Sequence, residues 1–180
     1  MTLKTSAACF LLSIAQLASA ADAQWILQQG TVTYHASHRL HETEGVSHDA
    51  HGKGICQAGR CDFTITVPIK SFDSGNSERD SHMMRVTRGD QFPMVTVRTH
   101  LPESATTSAT IQADLEIQFA GQTAQYKQVP FQLVTQGKQL RITGKIPATL
   151  ADFKIEPPSL LTMKVKNEIP VRVDLTWTPQ

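Results

Sequence analysis

The chain carries no excess of charge of either sign: 17 Lys and Arg stand against 16 Asp and Glu over 180 residues. No basic block interrupts that balance. This excludes the electrostatic footprint of a nucleic-acid binder or of a protein held on an anionic membrane surface. Aromatic residues make up only 6%, with two Trp and two Tyr, and cysteine is scarce at three. No stretch reaches the roughly 20 apolar residues that a membrane-spanning helix needs. Neither an internal repeat nor a low-complexity tract occurs. There is no G-x-S-x-G elbow and no Ser or Cys nucleophile in a recognisable context, so an enzyme is not expected.

What is present begins with an address. Lys4 supplies a short positive region, Ala7 to Leu12 with Ile14 to Leu17 an apolar core, and Ala18-Ser19-Ala20 the small residues of a cleavage site. The expected organisation is a removed signal peptide over 1–20 and one domain over 21–180, periplasmic or secreted, with no stable membrane insertion. Cys9 precedes most of the apolar core, where lipid modification does not occur. Cys56 and Cys61 therefore remain as an even pair in an exported chain, which reads as a disulfide. Closing so small a loop is worth about 2 kcal/mol on chain-entropy grounds. The competing reading, a C-x-x-x-x-C metal or redox site, meets the objection that redox pairs favour C-x-x-C and zinc wants further thiolates.

Period-2 alternation runs through nearly every later segment. Phe63, Ile65, Val67 and Ile69 alternate with polar residues and Pro68, and Ala113, Leu115, Ile117 and Phe119 do so with Gln112, Asp114, Glu116 and Gln118. Val129, Phe131 and Leu133, then Leu140 and Ile142, then Val171, Val173, Leu175 and Trp177 repeat the pattern. Strands with one apolar face belong to an antiparallel sheet wet on one side. About eight of them bury those faces together by closing into a barrel, which also removes exposed edges. Gly121 and Gln136-Gly137-Lys138 supply hairpin turns. Two segments depart from the pattern. Asn76 to Val86 reads as a short helix capped by Asn76 or Ser77 and ended by Gly89, and Ala148 to Phe153 also breaks the alternation but is too short to be read as a helix. Pro157-Pro158 then forces extended backbone to Leu161. The fold class is all-β: a single antiparallel lipocalin-like barrel of about eight strands with one short helix.

The order of motifs along the chain resembles the YceI-like family, secreted β-barrels that hold a long isoprenoid or similar lipid. The resemblance rests on Trp25 with the run Val32, Tyr34, Ala36, His38; on Gly45; and on the R-D-x-H-M segment of Arg79, Asp80, His82 and Met83. It continues through Phe92-Pro93 with Val95 and Val97, the strand pair around Gly121, and Asp152-Phe153. It implies a barrel whose apolar interior takes an elongated lipid, such as a polyisoprenoid quinone or fatty amide, in the periplasm. Tyr34, His38, Val67, Val95, Val97, Leu115 and Ile117 would line that interior, and Arg79 and His82 would lie at a lid or headgroup. No cofactor is required beyond the bound quinone or fatty lipid; a homodimer is left open.

Five of the seven histidines, His35, His38, His41, His48 and His51, fall within 35–51. Their spacing invites a metal reading. On a strand, however, residues three apart point to opposite faces, so three ligands on one site need a bulge or a loop. His38 then reads as a polar lining residue and the others as solvated. A histidine beside an aspartate also suggests half a triad, but Asp80 suits the start of a helix, with Arg79 and His82 satisfying loop carbonyls. Three functions remain from these residues: a lipid or quinone carrier, a filled-core structural or stress-related interaction protein, and a metal-binding protein using His35, His41, His48 and His51. A barrel of this size fills with side chains or holds one slender ligand, and the pattern alone does not choose.

Overall fold

A computed structural model of the protein describes residues 23–37, 42–160 and 163–180. The expected leader, His38 and His41 lie outside the described residues. Strands β1 (Ala23–Ser37), β2 (Glu42–Ser47), β3 (His51–Gln57) and β4 (Arg60–Pro68) lead to helix α1 (Ser77–Val86). Then follow β5 (Met94–Pro102), β6 (Thr110–Phe119), β7 (Gln122–Gln136) and β8 (Gln139–Ile146). A two-residue ladder of β9 (Ser159–Leu160) and β10 (Met163–Lys164) stands where extended loop was expected, and β11 (Val171–Pro179) ends the chain.

All neighbours in the main sheet are antiparallel, in the order β11-β8-β7-β6-β5-β4-β3-β1-β2, and β11 also pairs with β1. That pairing closes an eight-stranded barrel with β2 as an additional strand. β1 carries both: Ala23 to Ile26 pair with β3, and Val32 to Ser37 pair with β2. Two irregularities reset the inward face. On β1 one extra residue separates Leu27, opposite Trp177, from Gln29, opposite Thr176, so Leu27 and Gly30 both face in. On β7 the partners of Ala113 and Leu115 are Val129 and Tyr126, so Tyr126 and Val129 share the inner wall despite their odd spacing. Gln128 in that bulge has φ 54, and the Asp114 carboxylate accepts its backbone N–H at 2.9 Å.

Inward aromatic rings lie along the wall rather than across it, because glycine faces them. Tyr34 is paired with Gly45, Phe63 with Gly54 and Phe131 with Gly144. A methyl group on any of these glycines would collide with the ring opposite. Trp177 lies similarly over Gly52 and meets Phe63 edge-on at 5.1 Å.

Helix α1 forms where expected. The Asn76 side chain accepts from the backbone N–H groups of Glu78 and Arg79 at 3.0 Å each, and Glu78 and Asp80 oppose the positive end of the helix dipole. Gly89 donates its N–H to the Met84 carbonyl at 2.8 Å, yet the left-handed residue that ends the helix is Arg88, with φ 54. A non-glycine there is strained. It is held by a hydrogen bond from its guanidinium to the Ala120 carbonyl and by stacking on Phe92, 5.0 Å from the ring centre. The other segment that breaks the alternation holds a single 3-10 turn, Ala151–Phe153.

Candidate functional site

The barrel interior divides into two unequal parts. At one end Trp177, Leu140, Leu133, Phe63, Leu27 and the Cys56–Cys61 disulfide are all buried, Cys61 completely and Trp177 to 1% exposure. The disulfide joins residues directly opposite each other in the β3–β4 hairpin, as expected from the even pair. The Trp177 indole nitrogen is sealed in this packing and reaches no hydrogen-bond acceptor among the described residues.

The other end is mixed. Tyr34, Val95, Val97, Ala124, Tyr126, Val171 and Val173 occupy inward positions by strand register and are only half-buried, as are Ile65 and Ile142 nearer mid-barrel and Trp25 and Ile111 at the disulfide end, while Val67, Ile117 and Ile146 are buried. Above it sit α1, whose Met83 packs against the core, and the turn containing Phe72, which meets Tyr34 at 5.6 Å between ring centres.

Of the residues expected to line the interior, Val67, Val95, Val97, Leu115 and Ile117 form one continuous patch across β4, β5 and β6. Val95 and Val97 are half-buried, whereas Val67, Leu115 and Ile117 are buried among neighbours. Tyr34 stands at the mouth. Burial pushes its hydroxyl pKa up and the Asp80 carboxylate adds to this, opposed by the Arg79 guanidinium, so it stays a protonated donor. Ile65, Ile142, Val171 and Val173 were visible in the sequence as apolar positions, but only the register puts Val171 opposite Tyr34 and Ile146 and sets Ile142 opposite Leu175. Tyr126 was not visible, because the β7 bulge breaks the alternation that would have revealed it.

The lid candidates are exposed. Arg79 donates to the Ser74 carbonyl at 2.7 Å, the expected loop-carbonyl role, and Asp80 accepts the Ser74 N–H at 3.2 Å. His82 does not bond a loop carbonyl; its Nδ1 meets Arg85 on the next turn at 3.2 Å. Asp152 accepts the Tyr126 hydroxyl at 2.6 Å and the Thr149 N–H at 3.2 Å, while Phe153 packs edge-on against Phe119 at 5.2 Å. The Tyr126 hydrogen bond holds the Asp152 carboxyl below the usual range, and burial followed by Asp152 pushes the Tyr126 phenol well up.

The described histidines of the histidine-rich segment, His35, His48 and His51, each meet a different polar partner. His35 meets Glu44 at 3.5 Å, His48 meets Thr31 at 3.1 Å and His51 meets Asp49 at 3.0 Å. Among the described residues no group of three His, Cys, Asp or Glu is arranged to hold a metal. A cleft of about 260 Å³ on the outer face of β5, β6 and β7 is lined by Arg98, His100, Asp114, Glu116, Gln125 and Lys127. Its charges are spent on one another, Arg98 on Glu116 at 3.1 Å and Lys127 on Asp114 at 2.9 Å.

A closed antiparallel barrel with α1 at one end places the protein among the lipocalin-like β-barrels. Residues 24–177 match the YceI-like domain, and the chain belongs to that family. Among solved structures it is similar to a polyisoprenoid binding domain from Saccharophagus degradans implicated in plant cell wall breakdown. That match has a TM-score of 0.71 at 12% identity, covering 87% of this chain and 98% of that one. Burkholderia cenocepacia BcnA gives 0.68 at 14% identity over 82% and 95%. The Campylobacter jejuni YceI protein gives 0.53 at 12% identity over 100% and 99%. No curated protein matches the chain. At such identities the likeness speaks for the fold.

Proposed function

We propose that the protein is a periplasmic binding protein that holds one elongated apolar molecule, such as a polyisoprenoid quinone, in the open part of its barrel and performs no chemistry on it. One observation carries this reading: the ring of half-buried Val, Ile and Tyr side chains on the inner wall at the helix-covered end. Apolar surface left in contact with water inside a barrel gains roughly 25 cal/mol per Å² when a hydrocarbon chain covers it. The printed description of the Saccharophagus degradans relative, a polyisoprenoid binding domain, supports the same ligand class. Tyr34 is the polar group at the mouth best placed to meet a ligand's polar end, with Arg79 and His82 on the covering helix as outer contacts and His38 as a second candidate. Export through the expected leader is supported by the Cys56–Cys61 disulfide, a bond that persists in oxidising compartments.

The direct test is organic extraction of protein purified with its own leader from a quinone-rich host, followed by mass spectrometry. Stoichiometric recovery of a prenylated quinone or another long lipid is expected. Absence of bound lipid, together with no uptake of added isoprenoid quinone, rejects the carrier reading and leaves the filled barrel in its place.

A further inference from the structure

Resting on that reading, we infer that the turn Leu150–Ile155 is a lid on the helix-covered end of the barrel, held shut by the Tyr126–Asp152 hydrogen bond, and that the ligand exchanges past it. The turn belongs to the connection between β8 and β11. The neighbouring hairpins β6–β7 and β7–β8 close through Ala120-Gly121 and Gly137-Lys138, whereas this one takes residues 147–170. Connections of that length in a compact domain are commonly lids or binding loops. It leaves the barrel beside the mouth, since Ile146 and Tyr34 both lie opposite Val171.

The base of this connection and its turn are held differently. At the base the two arms bond each other: Ile169 donates its N–H to the Ala148 carbonyl and Leu150 to that of Asn167, each at 2.8 Å. The second arm is also tied to β1, Lys166 donating to the Ser37 carbonyl at 2.8 Å and Pro170 accepting from His35 at 3.0 Å. The turn is closed by bonds within itself, from Phe153 and Ile155 to the Leu150 carbonyl and from Lys154 to that of Ala151. The barrel wall holds it by Tyr126, whose hydroxyl donates to Asp152 at 2.6 Å, and by Phe119, which meets Phe153 edge-on. Phe119 continues the inward row of Leu115 and Ile117, so Phe153, 4% exposed, is seated at the rim. Opposing this, Lys154 completes the turn at φ 53 and ψ 33, a left-handed conformation that a side chain disfavours. Burial of Phe153 and the Tyr126–Asp152 bond hold the turn down; backbone strain at Lys154 lifts it. Both bond and strain are lost once the turn rises, so each sets the fraction of time that the lid is open.

The test compares two variants of the full-length mature protein that act in opposite directions. The probe is the anthranilate ester of a three-unit prenol, its entry and exit followed by stopped-flow fluorescence. Tyr126→Phe keeps the ring and removes the bond, so association and dissociation should both quicken by about fivefold, with Kd moving less than about twofold. Lys154→Gly relieves the strain of the shut form, and both rates should slow by about threefold. Hydrogen exchange of the Phe153, Lys154 and Ile155 amides, read on the protein alone, should quicken in the first variant and slow in the second. Should Tyr126→Phe not fold, the slowing in Lys154→Gly still decides. Folded variants whose rates stay at the wild-type value, or move in the same direction, overturn the lid and leave the carrier reading intact. A variant that only loses affinity, with association unchanged, also overturns it, since a merely structural turn would behave that way. Failure of the wild-type protein to bind the probe and the free prenol removes the carrier reading and this inference with it.

Discussion

The two ends of the barrel are written in the same alternating pattern and behave differently. At the disulfide end the inward positions carry Trp177, Phe63, Leu133 and Leu140, large enough to meet across the axis, and they are buried. At the helix end they carry Val95, Val97, Val171 and Val173, β-branched side chains too short to meet, and they stay half-buried. Period 2 selects the inward face; residue volume decides whether that face closes on itself or leaves room for something else. The largest buried ring therefore sits at one end, and the proposed binding surface at the other.

The largest effect should come from attacking the packed end. Trp177→Ala removes the most buried large side chain and is expected to cost about 3–5 kcal/mol, read as a lowered urea midpoint. Val95→Trp at the open end should leave that midpoint within about 1 kcal/mol while abolishing lipid co-purification, since it fills existing space. Equal destabilisation by the two changes would erase the distinction between the ends. Leu115→Trp sharpens it: Leu115 is 4% exposed, so the added volume should cost about 1–3 kcal/mol through overpacking.

Breaking the disulfide by replacing Cys56 and Cys61 with serine should cost about 2 kcal/mol, smaller than the loss of the tryptophan because the closed loop is short. Ligand uptake should be unchanged, and loss of uptake in the folded variant would tie the packed end to binding. The smallest effect concerns Asp152. Its carboxyl is held below the ordinary range by Tyr126, so its contribution is complete above the unfolded pKa of about 4 and is lost as pH falls through the folded value. The stability gap between wild type and Tyr126→Phe should thus be constant from pH 5 to 7 and narrow below pH 4. A gap that widens in acid contradicts the assignment.

Much of the barrel was legible before any coordinates. Inward rows such as Phe63-Ile65-Val67 and Val171 to Trp177 follow from alternation, and α1 from Asn76 and the acidic first turn. The level of each residue along the axis was not. Leu115 and Val97 look equivalent in sequence, yet Leu115 is buried and Val97 half-buried, a difference that alternation does not carry. The β7 bulge concealed Tyr126, and its only sequence trace is Asp114, an acid that holds the Gln128 N–H from across the strand pair. The Tyr34–Gly45 and Phe63–Gly54 pairs were likewise hidden, since a glycine's partner is a property of pairing rather than of neighbours.

The attachment of α1 has a mechanical consequence. Its entry is fixed by Arg79 and Asp80 on Ser74, and its exit by Arg88 on the Ala120 carbonyl with Phe92 seated on Gly121. A rod clamped at both supports cannot swing like a door; it bows at mid-span or carries a support with it. The mid-span residues of α1 are Met83 and its neighbours, directly over the mouth, and the movable support is the β6–β7 hairpin. Under the proposed function, admission of a tail beneath the helix would be a deflection shared between the cover and the wall.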